Sequence, residues 1–198
     1  MVEMVVVVAC IVIIIAISLP IMGRTIENYR LDASGHSVAS ALQQARILAA
    51  KTNQPYYAQY NTAVTPNMIY INTDQTAFAT GNPNVYLSTN VSFQSTGLPD
   101  HAQLDALLSN GNAGAAGIEP TTSAPAPPIG FNARGLPCTQ GASVTICTQS
   151  SSAAQYFEWF MQDSANGGWE AVTVTPAGRI KAYRLADTTG CGYSACWQ

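Results

Sequence analysis

The chain has 198 residues, only 10% of them are charged, and its formal net charge at pH 7 is −3. This balance excludes a protein that attracts nucleic acid or anionic lipid through its overall charge. The charged fraction lies well below the roughly 25% of an average soluble domain, and such a weakly charged polar surface is common outside the cytoplasm. Beyond an apolar N-terminal segment, about 145 residues remain, which is enough for one domain with a core.

Residues 4–22 form a nearly unbroken apolar run, which follows Glu3 and contains Pro20. The run reaches the roughly 20 apolar residues that a helix needs to cross a bilayer. A cleaved signal peptide would instead have a basic start, a shorter apolar core and a small-residue cleavage site. The sequence therefore predicts a transmembrane helix over residues 3–23 that stays attached to the chain.

The helical pattern continues past the apolar run as an amphipathic segment over residues 24–54. Its apolar stripe consists of Val38, Leu42, Ala45 and Ala49. Proline is tolerated in membrane helices, so we expect Pro20 to kink this helix rather than end it. We predict one helix from about residue 3 to about residue 53, because the chain before Pro55 is biased away from helical conformation.

Residues 55–198 have the pattern of an extracytoplasmic antiparallel β domain, in which short β-branched or aromatic segments alternate with Asn, Pro and Gly. The predicted strands are 56–60, 68–72, 85–93, 129–132, 143–148, 156–162, 169–175 and 179–185. A short helix is predicted over 100–108, and a flexible surface loop rich in Ala, Gly and Pro is predicted near 110–128. The predicted fold class is α+β, with a long N-terminal helix packed on an antiparallel β-sheet domain.

The β domain contains four of the five cysteines, Cys138, Cys147, Cys191 and Cys196. Four cysteines allow three pairings, and closeness in sequence favours 138 with 147 and 191 with 196. Zinc is the competing interpretation, but these spacings lack the close ligand pairs of zinc sites. Disulfides form in oxidising compartments, which indicates a domain outside the cytoplasm. Cys10 lies in the apolar run, where we expect it to behave as a small hydrophobic residue.

Glu3 and Pro20 lie 17 residues apart with apolar or small residues between them, and the chain starts with VEMVVVVA after Met1. This spacing and this start resemble the mature chains of type IV pilins and type II secretion pseudopilins. Two later segments are IGFNARGLP at 129–137 and VTVTPAGRIKAYR at 172–184. They look like the F-x-x-R-G and G-R-x-[RK] strands of the FimT/GspH branch of minor pilins and pseudopilins.

The resemblance implies a pilin-like fold and a structural role as a minor subunit of a type II secretion pseudopilus or a type IV pilus. The expected partners are other pilin or pseudopilin subunits and the bacterial inner membrane, which the chain would cross once. The C-terminal domain is then expected in the periplasm or in an extracellular filament. An alternative role for the chain is that of the major subunit of such a filament. The family's short basic leader does not precede Met1, so we expect Met1 to lie inside the segment that corresponds to the mature N-terminus.

Within this family resemblance, Glu3 and Pro20 are assembly residues. Glu3 is expected to pair with the N-terminal ammonium of a neighbouring subunit, which offsets the desolvation of its carboxylate and fixes the axial register. The alternative is a plain membrane anchor whose glutamate lies at the interface.

Three cations near the C-terminus form a candidate nucleic-acid site. Strand alternation places Arg179, Lys181 and Tyr183 on one face, and two cations beside an aromatic ring suit a phosphate backbone and a stacked base. A G-R-x-R tail is associated with DNA binding during natural transformation in the FimT subgroup, and residues 178–181 resemble it. The resemblance thus implies a DNA-binding minor pilin, acting through Arg179, Lys181 and Arg184, as an alternative function. The structural alternative is an edge strand whose charges oppose aggregation.

No pattern in the sequence favours catalysis, because there is no phosphate loop, dinucleotide fingerprint, nucleophile elbow or metal pair. We therefore expect no enzyme activity, no cofactor and no metal. Arg134 is expected to close a turn and pair with a carboxylate. His36 and His101 lack a neighbouring nucleophile. The aromatic residues Phe157, Trp159 and Trp169 are expected in the core or in subunit contacts.

Overall fold

A computed structural model describes residues 2–74, 78–94, 104, 117–118, 128–140, 147–148, 156–185 and 197. Within helix α1, the side chains of residues 2, 17–22 and 24 are outside this description. In the described residues the fold is α+β, as the sequence predicts, with one long helix followed by short strands. The elements are α1 Val2–Thr52, β1 Tyr56–Asn61, β2 Met68–Asn72, β3 Asn84–Tyr86, β4 Val91–Gln94, β5 Gly117–Ile118, β6 Ile129–Phe131, β7 Pro137–Gln140, β8 Cys147–Thr148, β9 Tyr156–Asp163, β10 Trp169–Val174 and β11 Ile180–Arg184.

Helix α1 is 51 residues long and continues through Pro20 and Gly23. It ends at Thr52, where Asn53 follows in the left-handed conformation with φ 54° and Pro55 comes two residues later. A left-handed residue followed by proline is a common way to end a helix, because proline cannot continue the hydrogen-bond ladder. The single helix predicted from about residue 3 to about residue 53 is thus confirmed, whereas the kink at Pro20 stays a prediction.

The apolar part of α1 bears on the predicted membrane crossing. Among the residues that the structure describes, no helix is long and apolar enough to cross a membrane. The side chains of residues 17–22 belong to the predicted span but lie outside the described part. The transmembrane segment at 3–23 therefore stays a prediction.

The strands form two main sheets around the second half of α1. The larger sheet has the order β3-β2-β1-β6-β7-β8, and the smaller sheet has the order β11-β10-β9-β4 with β5 parallel to β9. The other strand pairs are antiparallel, and hairpins join β1 to β2, β6 to β7, β9 to β10 and β10 to β11. Helix α1 contacts strands of both sheets, so it lies against the core of the domain.

The main core combines the predicted helical stripe with residues of both sheets. The buried helix residues are Leu31, Val38, Ala41, Leu42, Ala45 and Ala49. Three of these six are alanines, which let the helix approach the sheets closely. From the sheets come, among others, Ile69, Ile71, Phe131, Phe157, Trp159 and Val172. The amphipathic stripe predicted from the sequence is confirmed, and Leu31 extends it by two turns towards the N-terminus.

A second apolar cluster covers the opposite face of the smaller sheet. It contains Leu104, Phe160, Trp169, Ala171 and Trp197. The rings of Phe160 and Trp197 meet at 6.0 Å between their centroids, close to edge-to-face. Strands β9 and β10 therefore bury both faces, which explains why Trp169–Val174 is buried at every position rather than at alternate ones.

Most predicted strands agree with the observed ones, but β3–β4, β5 and β7 differ from the prediction, and residues 143–146 of the predicted strand 143–148 lie outside the described residues. The prediction of one strand over 85–93 is wrong, because β3 and β4 belong to different sheets and residues 87–90 connect them. Strand β7 was not predicted, since it begins at Pro137, which lacks a backbone donor. The predicted helix at 100–108 lies outside the described residues except for Leu104. The predicted loop near 110–128 also lies outside them, except for Pro128 and for β5, which pairs with β9.

Candidate functional site

The first half of α1 exposes its apolar side chains. Residues 3–16 are all exposed, and they include Val5 at 68% and Ile14 at 64% of full exposure. Glu3 stands at the start of this segment and is exposed with it. A helix that is apolar on all sides requires a partner or a lipid environment, because water does not solvate such a surface favourably. We call residues 3–16 the exposed apolar segment.

The domain begins to hold α1 between residues 28 and 35. The Ser34 hydroxyl donates to the carbonyl of Arg30 at 2.8 Å and accepts the backbone N–H of Ser88 at 3.1 Å. The Ser88 hydroxyl donates to the same Arg30 carbonyl at 3.2 Å. Nearer the N-terminus of the helix, the Asn166 amide donates to the Asn28 side chain at 2.9 Å. These contacts fix the point at which the helix leaves the domain.

Arg46 connects the helix to both sheets. Its Nε–H donates to the carbonyl of Gly135 at 3.0 Å, and its Nη1 donates to the carbonyl of Gly178 at 2.9 Å. Gly135 lies in the turn between β6 and β7 of the larger sheet, and Gly178 lies in the turn between β10 and β11 of the smaller sheet. One guanidinium group thus joins two hairpins that lie far apart in the sequence. We call this arrangement the Arg46 clamp.

The two turns held by Arg46 are built alike. Each contains a polar residue whose side chain caps the turn: Asn132 Oδ1 accepts from the backbone N–H of Arg134, and Thr175 Oγ1 accepts from that of Arg179. Each has a glycine with positive φ, 71° at Gly135 and 78° at Gly178. The two glycines meet, since a Cβ at Gly178 would lie 2.9 Å from the Gly135 carbonyl oxygen. The two motif segments singled out in the sequence therefore converge at the Arg46 clamp.

Glu170 lies on β10 with its carboxyl group against α1. It is 1% exposed, and a Cβ at Gly35 of the helix would collide with this carboxyl group. Within the described part of the chain, its Oε2 has no hydrogen-bond partner. Burial raises the pKa of Glu170 to about 8, the carboxylate of Asp32 contributes to the rise, and the cation of Arg184 opposes it.

The candidate nucleic-acid residues divide between the two faces of β11. Lys181 lies beside Tyr183, with its Nζ 4.2 Å from the ring centroid, and Arg179 is exposed in the preceding turn. Arg184 has the opposite parity, which it shares with Ile180 and Ala182 at the main core, and it pairs in register with Glu170. The structure therefore brings Lys181 and Tyr183 together on one face and separates Arg184 from them.

A disulfide joins Cys138 to Cys147, as closeness in sequence favours. Its Cα atoms lie 5.4 Å apart, and it links β7 to β8 at the edge of the larger sheet. Cys191 and Cys196 lie outside the described residues, so their pairing stays a prediction. Cys10 is free and exposed in the apolar segment. In the described residues, no group of three or more His, Cys, Asp or Glu side chains is placed to bind a metal ion.

The other residues singled out in the sequence are one arginine, three aromatic residues and two histidines. Arg134 lies in the β6–β7 turn, as expected, but within the described ranges no ion pair joins it to a carboxylate. Phe157, Trp159 and Trp169 are buried in the two apolar clusters, which confirms their assignment to the core. His36 is exposed on α1, with its Nε2 3.8 Å from Asp32 Oδ1. His101 lies outside the described residues.

Sequence reasoning missed both Arg46 and Glu170. Arg46 makes contacts 89 and 132 residues away along the chain, and local periodicity carries no information about such contacts. Glu170 did leave a signal, because it shares strand parity with Val172 and Val174 and thus stands among core-facing residues. A carboxylate at such a position indicates a buried acid.

No family model, no curated protein and no solved structure matches this chain. The residues and contacts described above are therefore the basis for its proposed function.

Proposed function

We propose that this chain is a minor pilin or pseudopilin, a structural subunit that enters a pilus-like filament of a type II secretion or type IV pilus system. The observation that carries this proposal is the division of α1. One continuous helix has a first part that is exposed and apolar, residues 3–16, and a second part that forms the core of a β domain. Such a helix suits a subunit that anchors in a bilayer and then packs among the helices of its neighbours.

The arrangement of the domain also supports this proposal. The α+β architecture, a helix against antiparallel sheets, agrees with a pilin-like fold. The disulfide between Cys138 and Cys147 is consistent with a periplasmic or extracellular domain, because such bonds persist in oxidising compartments. We place the exposed apolar segment in the inner membrane before assembly, and we propose a single pass.

Glu3 has a specific role in this proposal. In a filament core its carboxylate would be desolvated at substantial cost unless a cation compensated it, and the N-terminal ammonium of a neighbouring subunit supplies one. The pairing sets how far each subunit advances along the fibre axis. Glu3 therefore acts in assembly and makes no contribution to the folding of the domain.

The test is incorporation of Glu3→Ala into sheared filaments, measured against the total amount of the protein in the same cells. We expect a loss of at least about tenfold, because an unpaired ammonium and a lost register each cost more than about 1.4 kcal/mol. Glu27→Ala, a half-exposed acid on the same helix, is the matched control and should assemble normally. Normal incorporation of Glu3→Ala, with the unfolding of both variants unchanged, would contradict the proposal. The abundance of the wild-type protein in the sheared filaments also distinguishes a minor from a major subunit.

DNA binding is the second candidate function, and the contact between Lys181 and Tyr183 favours it. An exposed cation beside an aromatic ring suits a phosphate and a stacked base, although Tyr183 is half-buried against the second apolar cluster. Because Arg184 faces the other way, we assign this function to Arg179, Lys181 and Tyr183. A mobility-shift titration of the full chain in detergent, with Lys181→Ala for comparison, tests it, and the absence of any shift at low salt would exclude it.

A further inference from the structure

Glu170 is a buried acid at the contact between α1 and the smaller sheet. Its carboxyl group fills the space above Gly35, where the helix has no side chain, and its Oε2 has no hydrogen-bond partner in the described part of the molecule. Residue 35 lies in the stretch where the domain begins to hold α1, near the Ser34 and Ser88 contacts. The acid is therefore at the point where the exposed apolar segment connects to the folded domain.

Helix α1 and strands β9 and β11 pack around Glu170, and their charged side chains act on its carboxyl group. Helix α1 presents Asp32, whose Oδ1 lies 3.8 Å from His36 Nε2. Strand β11 presents Arg184, in register with Glu170. Strand β9 places Met161 in register beside it, and the next residue of that parity is Asp163. The described neighbours thus include acids as well as one cation, and the arrangement favours a neutral carboxyl group.

We propose that Glu170 is a proton-dependent latch, which holds α1 against the smaller sheet while its carboxyl group is neutral and loosens residues 31–38 of the helix when it ionises. This inference does not depend on the proposed assembly into a filament. Burial of a neutral carboxyl group against the helix backbone costs much less free energy than burial of an ionised one. An ionised one needs water or a close cation, and water reaches it only when the helix moves away from β10.

The direction of the pH dependence follows from the pKa of Glu170. In the folded protein this pKa is about 8, above its ordinary value of 4.5. The closed state therefore retains a proton that the open or unfolded state releases. The stabilisation is fully present below the ordinary value, decreases as the pH rises, and is lost once the pH passes through the folded pKa. The latch therefore weakens from mildly acidic to alkaline pH.

Amide hydrogen exchange of the full chain in detergent micelles tests the latch. Protection of residues 31–38, corrected for the intrinsic exchange rate, is compared between about pH 6 and about pH 9 in the wild type and in Glu170→Gln. We expect wild-type protection to fall by about tenfold or more across this range, because one pKa unit corresponds to a factor of ten in the opening equilibrium. Protection in Glu170→Gln should stay nearly constant, since the amide does not ionise.

Two controls separate the latch from other titrating groups. A histidine could in general cause a pH dependence in this range. His36→Gln tests this alternative, and we expect that variant to keep the full pH dependence. Glu27→Gln, on the same helix, should also keep it. If His36→Gln abolished the dependence, or if Glu170→Gln showed the same fall as the wild type, the proposal would be wrong. Carbon-13 NMR of the glutamate carboxyl groups provides a measurement that needs no variant: a Glu170 signal that titrates near 4.5 instead of near 8 would also overturn it.

Discussion

The two halves of α1 are both rich in apolar residues, yet the domain covers only one of them. Residues 3–16 carry Val and Ile on every side of the helix, and all of them are exposed. Residues 31–49 carry apolar side chains along one stripe, where Leu42, Ala45 and Ala49 have no exposed surface. The distribution of apolar residues around the helix, rather than their number, therefore indicates whether the partner is the chain's own domain or something outside it.

The largest difference between the halves should appear on truncation of one apolar side chain in each. We expect Leu42→Ala to lower the free energy of unfolding by about 2–5 kcal/mol, because it leaves a cavity between the helix and two sheets. Ile13→Ala removes an exposed side chain and should change it by less than about 0.5 kcal/mol. Urea unfolding in detergent, followed by tryptophan fluorescence, measures both. Equal effects would mean that the exposed apolar segment packs on the domain.

The Arg46 clamp gives the next largest effect. Arg46→Met removes two hydrogen bonds from a cation to carbonyl groups, and we expect a loss of about 2–4 kcal/mol in the free energy of unfolding. Lys51→Met removes an exposed cation of the same helix and should change it by less than about 0.5 kcal/mol. Arg46→Lys should be intermediate, since one ammonium does not replace a planar fork that reaches two carbonyls. A loss in Lys51→Met as large as that in Arg46→Met would point to general charge effects.

Two glycines of α1, one in each half of the helix, should give smaller changes in stability. Gly35→Ala improves the helix propensity but drives a methyl group into the Glu170 carboxyl, so we expect a net loss of about 1–3 kcal/mol in unfolding free energy. Gly23→Ala meets nothing within 4 Å and should stabilise α1 by up to about 1 kcal/mol. Urea unfolding measures the first change, and helicity by circular dichroism measures the second. A Gly35→Ala variant as stable as the wild type would show that the helix and β10 are less closely packed than described.

The elements that could be predicted are those whose signal is local. The bounds of α1 follow from an apolar pattern and from a proline, and both act within a few residues of the helix end. Strands β1, β2, β9 and β10 are rich in β-branched and aromatic residues and are bounded by turn residues, so their positions agree with the prediction to within one residue. Local composition is therefore enough to predict a strand where the chain enters and leaves the same sheet.

The parts that escaped prediction depend on the third dimension. Residues 85–93 have the pattern of one strand, but the chain passes there from the larger to the smaller sheet, and the composition of the two strands does not mark the change. The convergence of two similar turns on Arg46 is likewise a property of the packed molecule. Arg184 and Glu170 were missed for a different reason, because strand parity is a local signal for both. Arg184 has the parity opposite to Arg179 and Lys181, and Glu170 shares the parity of the core residues Val172 and Val174.

The continuity of α1 has a mechanical consequence. The helix is about 75 Å long at 1.5 Å per residue, so a pull on its N-terminal end is transmitted along its axis into the domain. There the load acts in shear across the whole contact from Leu31 to Ala49, whose packing and hydrogen bonds must yield together. A pull on the chain near residue 197 would act first on Trp197, a single described residue that is held by the second apolar cluster and by a bridge to Leu185. We therefore expect the domain to resist traction through its helix better than traction through its C-terminus.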